Sequence, residues 1–206
     1  MRKILGFYDY TVVLTYLGLV SAVVGIFQAI QGNTGMVFAC QAVSLLCDTV
    51  DGTVARTRKN RTQKEKEFGV QIDSLCDLVS FGIFPMVLFF SAGLSTVGDL
   101  ILECVFCLSC VIRLGYYNVL TMHPEDREGA DFHGLPVPSL TMILPLLFYL
   151  ARYFAAPVFQ WTARVLILAA AVLYILSFRI NKMSRAAYIL WILLYGVPCL
   201  LLIFGC

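Results

Sequence analysis

The sequence predicts an all-α fold, a polytopic bundle of transmembrane helices that forms one membrane-integral domain over residues 1–206. Hydrophobic residues make up 60% of the chain and the mean hydropathy is +0.84, whereas soluble domains are about half apolar or less. Apolar stretches of about 20 residues, the length that crosses a bilayer as a helix, recur along the chain. Lys and Arg concentrate in alternate connections between these stretches, as in helical membrane proteins.

Seven apolar segments are predicted as membrane spans, and two less regular ones leave a range of six to eight. The second has a short apolar run, Met36–Cys47, that continues as a polar helical extension. The fifth begins in a proline-rich stretch, where a helix start is favoured. Motifs fall within residues 10–150, and the last two spans, 158–204, carry none. The predicted segments are 10–30, 34–56, 69–92, 97–120, 138–153, 158–178 and 186–204.

The distribution of basic residues predicts a cytoplasmic N-terminus and an outward C-terminus. In that orientation, 13 of the 15 Lys and Arg residues lie in cytoplasmic segments, as the positive-inside rule requires. Six of them occur between Arg56 and Lys66, in a charged stretch over 57–67 that we predict to be a solvated loop. The net charge of only +2 does not indicate a nucleic-acid partner.

Four aspartates lie where the second segment ends and the third begins: Asp48, Asp51, Asp73 and Asp77. Residues three or four apart share one face of a helix, so each pair directs two carboxylates the same way. Carboxylates are costly beside hydrocarbon, and those found there usually serve a function. Two antiparallel helices would bring all four to one volume at the cytoplasmic face. Such an all-oxygen cage favours Mg²⁺, Mn²⁺ or Ca²⁺.

Small and basic residues accompany the aspartates. Gly52 and Gly69 lack the side chains that would keep a ligand away from the backbone. Ala55 is also small, and Arg56 can bind a phosphate bidentately. The pattern predicts a metal-bridged pyrophosphate resting on two helices. Two alternatives are that the acids pair with neighbouring Lys and Arg at a helix end, or that they line the path of a divalent-cation transporter.

These residues resemble the signature of the CDP-alcohol phosphotransferase family, D-x-x-D-G-x-x-A-R followed by G-x-x-x-D-x-x-x-D. Twelve residues separate Arg56 from Gly69, where the family has about eight, so this connection is longer. Residues 73–82 (DSLCDLVSFG) and 132–138 (FHGLPVP) are similar to the phosphatidylserine synthase branch. Residues 113–118 (RLGYYN) resemble that branch's RLARFN, with Tyr in place of its second Arg. The eight positions matching the signature are Asp48, Asp51, Gly52, Ala55, Arg56, Gly69, Asp73 and Asp77.

This resemblance implies an enzyme that binds CDP-diacylglycerol at the cytoplasmic membrane surface with two divalent cations, Mg²⁺ or Mn²⁺, and that releases CMP. Asp48, Asp51, Asp73 and Asp77 match the metal-binding positions, and Asp77 also matches the position of the catalytic base. The positions that match CDP contacts are Thr15, Asp48, Asp51, Gly52, Ala55, Arg56, Gly69 and Asp73.

The branch resemblance implies L-serine as the acceptor and phosphatidylserine as the product. Inositol phosphate, glycerol phosphate and an amino alcohol are the alternative acceptors. The candidates for contacts with the acceptor or its phosphate are Arg113, Asn118 and His133. Arg113 has an alternative role as a basic anchor at the membrane surface. Because family members are commonly homodimers, we expect a homodimer in the plasma membrane of a prokaryote.

Overall fold

The computed structural model describes residues 6–8, 10–58, 60–122, 134–178 and 185–205, and its regular structure in these ranges is entirely helical. The elements are α1 (Tyr10–Ile30), α2 (Thr34–Thr57), α3 (Gln63–Asp77), a π-helical segment (Leu78–Ile83), α4 (Phe84–Ser91), α5 (Val97–Met122), α6 (Ser139–Leu150), a 3₁₀ turn (Ala151–Tyr153), α7 (Ala156–Ile175) and α8 (Arg185–Ile203).

Four helical stretches are long and apolar enough to cross a bilayer: Val12–Ile30, Thr34–Thr57, Gln63–Ser91 and Ala156–Ile175. The third is one continuous rod because α3, the π-helical segment and α4 follow each other without a break. Helix α5 is as long as the others, and the apolar helices of the α6 and α8 regions are shorter. The predicted all-α membrane bundle is confirmed, whereas the total of seven spans stays a prediction.

The bundle has an aromatic core and an apolar outer surface. Phe38, Phe84 and Phe106 come from three different rods and are almost completely buried. On α1, by contrast, Val20 and Phe27 are each 60% exposed. Outward-facing apolar side chains in this number are what lipid tails cover in a helical membrane protein.

Helix α3 begins at Gln63, inside the stretch that the sequence analysis assigned to a solvated loop, so that assignment is wrong for its second half. The start is fixed by a capping box, in which the Thr62 hydroxyl accepts a hydrogen bond from the backbone N–H of Glu65. In return, the Glu65 carboxylate accepts one from the backbone N–H of Thr62 at 2.7 Å. Two otherwise unpaired N–H groups are thereby satisfied. Gly69 consequently lies within α3 and does not begin it.

The π-helical segment Leu78–Ile83 follows Asp77 directly. Its widened turn is seen in the hydrogen bond from the backbone N–H of Phe84 to the carbonyl of Val79, five residues earlier. Ser80, at the centre of the segment, is buried. The polar half of this rod, which carries the aspartates, is therefore joined to its apolar half through an irregular turn.

Polar contacts join α5 to α7 at both ends. The guanidinium of Arg164 donates to both carboxylate oxygens of Asp99, at 2.6 and 3.2 Å. Toward the other end, Arg113 donates to the carbonyl of Tyr174 at 3.3 Å. The Tyr174 hydroxyl in turn donates to the carbonyl of Val137, just before α6, at 2.6 Å. These bonds hold α5, α6 and α7 together beside the α1–α4 unit.

Candidate active site

The four aspartates converge between α2 and α3. One carboxylate oxygen from each of Asp48, Asp73 and Asp77 lies within 4.8 Å of the other two. Asp51 and Asp73 line one cavity beside this group. The convergence expected from three- and four-residue spacing therefore occurs, with α2 and α3 each contributing two carboxylates.

Helix α1 contributes a residue that orients this cluster. The Thr15 hydroxyl donates to the Asp51 carboxylate at 2.9 Å, and both side chains are buried. A hydrogen bond of this kind fixes the carboxylate's rotamer and leaves its other oxygen for a ligand. Thr15 therefore links the first helix to the two that carry the acids.

The charge of the cluster calls for a cation. Among the described residues, the ion pairs are Arg58–Glu65 and Arg164–Asp99, so no described Lys or Arg pairs with the four aspartates. Two unit negative charges at 4.8 Å, the upper limit of the distances between these oxygens, repel each other by roughly 3 kcal/mol at the dielectric constant effective near a protein surface. Pairing with local basic residues is thus not supported. The all-oxygen donor set fits hard divalent cations.

A cavity of about 230 Å³ opens beside the acids, between α2 and α3. Asp48 and Asp77 lie next to it in a smaller pocket that also includes Thr15. Six residues predicted to contact CDP line the larger cavity: Thr15, Asp51, Gly52, Ala55, Gly69 and Asp73. The structure therefore gathers most of the predicted nucleotide positions around one space, with the acids along its edge.

The two glycines of the cavity have different surroundings. A Cβ atom placed on Gly52 would meet no protein atom within 4 Å, so the backbone of α2 is open to a ligand there. A Cβ atom on Gly69 would lie 2.6 Å from Nη2 of Arg61. The space over Gly52 is therefore available to a substrate, while the space over Gly69 already holds a guanidinium.

Two basic residues of the cavity wall, Arg61 and Lys66, were missed by sequence reasoning because their stretch was taken for a solvated loop. Arg56, the predicted phosphate ligand, does not line this cavity. It is exposed at the end of α2, where its Nη2 donates to the Thr53 hydroxyl at 3.2 Å. The capping-box pattern at Thr62 and the three-residue step from Lys66 to Gly69 were the sequence signals available.

The predicted acceptor residues occupy different surroundings. Asn118 on α5 accepts a hydrogen bond from the Ser74 hydroxyl at 2.7 Å, directly beside Asp73. Arg113 is buried, and it donates to the Tyr117 hydroxyl at 3.2 Å as well as to α7. His133 lies outside the described residues. Asn118 thus lies against α3 next to the acids, whereas Arg113 is held in the contact between α5 and α7.

Comparison with known proteins identifies the family of this chain. The family model for CDP-alcohol phosphatidyltransferases matches residues 11–176. The chain belongs to this family. The match includes the acids, the glycines and the cavity, and it ends one residue after α7. The protein is therefore an integral membrane protein of a transferase family that generally depends on divalent cations.

Several curated relatives are similar over most of this chain. An archaetidylserine synthase of Methanothermobacter thermautotrophicus is 31% identical over 182 residues, which cover 85% of this chain and 71% of the relative. A CDP-diacylglycerol–serine O-phosphatidyltransferase of Methanocaldococcus jannaschii is 30% identical over 70% of this chain and 61% of its own length. An enzyme of the same name from Helicobacter pylori J99 is 31% identical over 66% of this chain and 54% of its own length. The match thus spans between about half and 71% of these relatives.

Proposed function

We propose that this protein transfers the phosphatidyl group of CDP-diacylglycerol to L-serine, giving phosphatidylserine and CMP. The observation that carries the proposal is the cavity between α2 and α3, where Asp51 and Asp73 lie beside the open backbone of Gly52. This arrangement suits a pyrophosphate whose charge is balanced by cations on the carboxylates. The names of the relatives support serine over inositol phosphate, glycerol phosphate or an amino alcohol.

In the proposed reaction, the serine hydroxyl oxygen attacks the phosphorus on the lipid side of the pyrophosphate. A new O–P bond forms, the P–O bond to CMP breaks, and its electron pair leaves with the CMP phosphate. Asp77, with a carboxylate oxygen within 4.8 Å of one from Asp48 and one from Asp73, accepts the hydroxyl proton. When bound by the four aspartates, two divalent cations, Mg²⁺ or Mn²⁺ with Ca²⁺ as a further option, would neutralise the pyrophosphate and the departing CMP.

We assign the nucleotide half of the substrate to the larger cavity. Thr15 holds Asp51 in place, and the small side chain of Ala55 leaves room along α2. Gly52 lets the ligand approach the backbone of α2, and Gly69 makes room for the Arg61 guanidinium at the wall of the cavity. Arg56, at the exposed end of α2, is proposed to reach the phosphates from outside the cavity.

The serine carboxylate needs a basic or hydrogen-bonding partner, for which we propose Arg113, Asn118 and His133. Two stretches that resemble the phosphatidylserine synthase branch, 113–118 and 132–138, approach each other through Arg113 and Gly134. A Cβ atom on Gly134 would lie 2.6 Å from Nη1 of Arg113. Gly134 itself adopts a φ of +75°, which side-chain-bearing residues rarely adopt. Asn118 supplies an amide beside Asp73 through its contact with Ser74.

We further propose that the protein is a homodimer in the plasma membrane of a prokaryote, with its N-terminus and the cavity on the cytoplasmic side. The concentration of Lys and Arg between Arg56 and Lys66 supports this orientation. Bacterial and archaeal relatives support the cellular setting. Cytosolic serine and CMP would then exchange directly with the cavity.

The test uses the full chain, purified in detergent–lipid micelles with CDP-diacylglycerol and Mg²⁺ or Mn²⁺. Serine, inositol phosphate and glycerol phosphate are offered separately, and both CMP and the lipid product are measured. We expect CMP release only with serine, and none when EDTA removes the metal. Asp77→Asn serves as the inactive control.

Two other results would change the proposal. Release with a different acceptor would keep the chemistry and refute the serine assignment. Absence of release with every acceptor would refute the enzymatic proposal, and metal flux into vesicles would then be measured.

A further inference from the structure

The connection between α2 and α3 brings a second pair of basic groups to the cavity. Arg61 lies in this connection and Lys66 in the first turns of α3, and both line the cavity together with Asp51 and Asp73. One edge of the space is therefore acidic and another is basic. A ligand that bridges them must present anionic oxygens to Arg61 and Lys66.

Arg61 is held in position by the start of α3. Its Nη2 donates to the backbone carbonyl of Glu65 at 3.0 Å. The Glu65 side chain is itself fixed, since it accepts hydrogen bonds from Thr62 and pairs with Arg58 at 3.1 Å. The guanidinium therefore has a restrained location over Gly69, where the missing side chain makes room for it.

The guanidinium also has an unused hydrogen-bond donor. Nε of Arg61 is buried and has no hydrogen-bond partner within the part of the chain that the structure describes. A buried donor without an acceptor destabilises the protein. A phosphate oxygen is a strong acceptor for a guanidinium and can engage two of its N–H groups at once.

We propose that Arg61, assisted by Lys66, binds the CMP phosphate of the CDP-lipid and so sets the affinity of the enzyme for its nucleotide. This inference rests on the proposed function and assigns a ligand to two residues outside the family signature. Both side chains are donors only, which suits a phosphate. Lys66 is more exposed than Arg61 and lines the cavity from the first turns of α3.

The expected effect is a loss of affinity for the nucleotide. A hydrogen bond to a charged group is worth roughly a tenfold to hundredfold change in affinity. Arg61→Met should weaken CMP binding and raise the KM for CDP-diacylglycerol by about this factor, and kcat should also fall because negative charge grows on this phosphate as CMP leaves. Arg61→Lys, which keeps the charge, should recover part of the loss.

The experiment measures binding of labelled CMP and labelled cytidine by equilibrium dialysis, with the full chain in micelles containing Mg²⁺. Wild type is compared with Arg61→Met, Arg61→Lys and the matched control Lys64→Met, whose exposed side chain does not line the cavity. Thermal unfolding of each variant verifies that it is folded. We expect weaker CMP binding by Arg61→Met, unchanged cytidine binding and no effect of Lys64→Met.

The other outcomes would overturn the inference. Unchanged CMP binding by Arg61→Met would remove Arg61 from the site. Equal weakening of CMP and cytidine would assign Arg61 to the base. A lower kcat with an unchanged KM, or equal losses in Arg61→Met and Lys64→Met, would assign it a purely structural or general electrostatic effect. Failure of the wild-type protein to bind CMP would refute the proposed function itself, before any variant is considered.

Discussion

Gly52 offers a test in which stability and activity are expected to change in opposite directions. It lies in the last part of α2 and lines the cavity, and a Cβ atom there would meet no protein atom within 4 Å. Replacing a helical Gly by Ala stabilises a helix by about 1 kcal/mol when the new methyl group meets no obstacle. Gly52→Ala should therefore raise the melting temperature of the protein.

The same methyl group enters the space assigned to the substrate. A displacement of about 1 Å at a reacting group lowers the rate by roughly 100-fold, equivalent to about 2.7 kcal/mol of transition-state stabilisation. The added carbon removes the closest approach of the ligand to α2, so a displacement of this size is expected. We predict a loss of about 100-fold in kcat/KM for CDP-diacylglycerol.

The assay combines initial rates of CMP release with thermal unfolding of the same micelle preparation. Gly196→Ala is the matched control, because Gly196 lies in α8, has no neighbour within 4 Å of a built Cβ, and does not line the cavity. This control should be stabilised and remain fully active. Wild-type activity in Gly52→Ala would refute the assignment of the substrate to this face of α2. Loss of activity together with a lower melting temperature would mean that the residue acts through folding.

Three further changes probe the acids and the packing. Asp77→Asn should lower the rate of CMP release by roughly 10²- to 10⁴-fold, as loss of a general base does, while the chain still folds; a rate within tenfold of wild type would exclude this role. Thr15→Val removes the hydrogen bond to Asp51 and should raise the Mg²⁺ concentration for half-maximal activity by roughly 10- to 100-fold. Thr15→Ser should restore the wild-type Mg²⁺ requirement. Equal Mg²⁺ titrations of the wild type, Thr15→Val and Thr15→Ser would count against a role of this hydrogen bond in metal binding. Arg164→Met leaves the buried carboxylate of Asp99 unpaired and should lower the melting temperature, with partial recovery when Asp99→Asn is added; an unchanged melting temperature would show that the pair is not structural.

The positions of the helices could be read from the sequence because long apolar runs determine them. The predicted segments 10–30, 34–56 and 97–120 agree with α1, α2 and α5 to within two residues at each end. The start of α3 was missed because its first turns are charged, and hydropathy alone does not detect a polar helix. The capping box of Thr62 and Glu65 was the local signal that would have located it.

For the candidate site, too, some features could be predicted from the sequence and others could not. Convergence of the aspartates followed from helical spacing, since residues three or four apart must share a face. The position of Arg61 did not follow, because it depends on the path of an irregular connection and on the empty space over Gly69. Nor did the surroundings of Arg113, whose partner Tyr174 is 61 residues away in sequence.

The π-helical segment after Asp77 changes the angle between the side-chain directions in the two halves of this rod. One residue changes the direction of a side chain by about 100° on an α-helix, so a widened turn offsets the face that carries Asp73 and Asp77 from the face that carries Phe84 and Phe89. The acids of this rod therefore lie against Asp48 of α2, while its aromatic rings pack in the core. An insertion or deletion within Leu78–Ile83 would consequently rotate the carboxylates relative to the aromatic side chains that pack in the bundle. Within these six residues, a change in chain length should therefore be tolerated less well than a change of side chain.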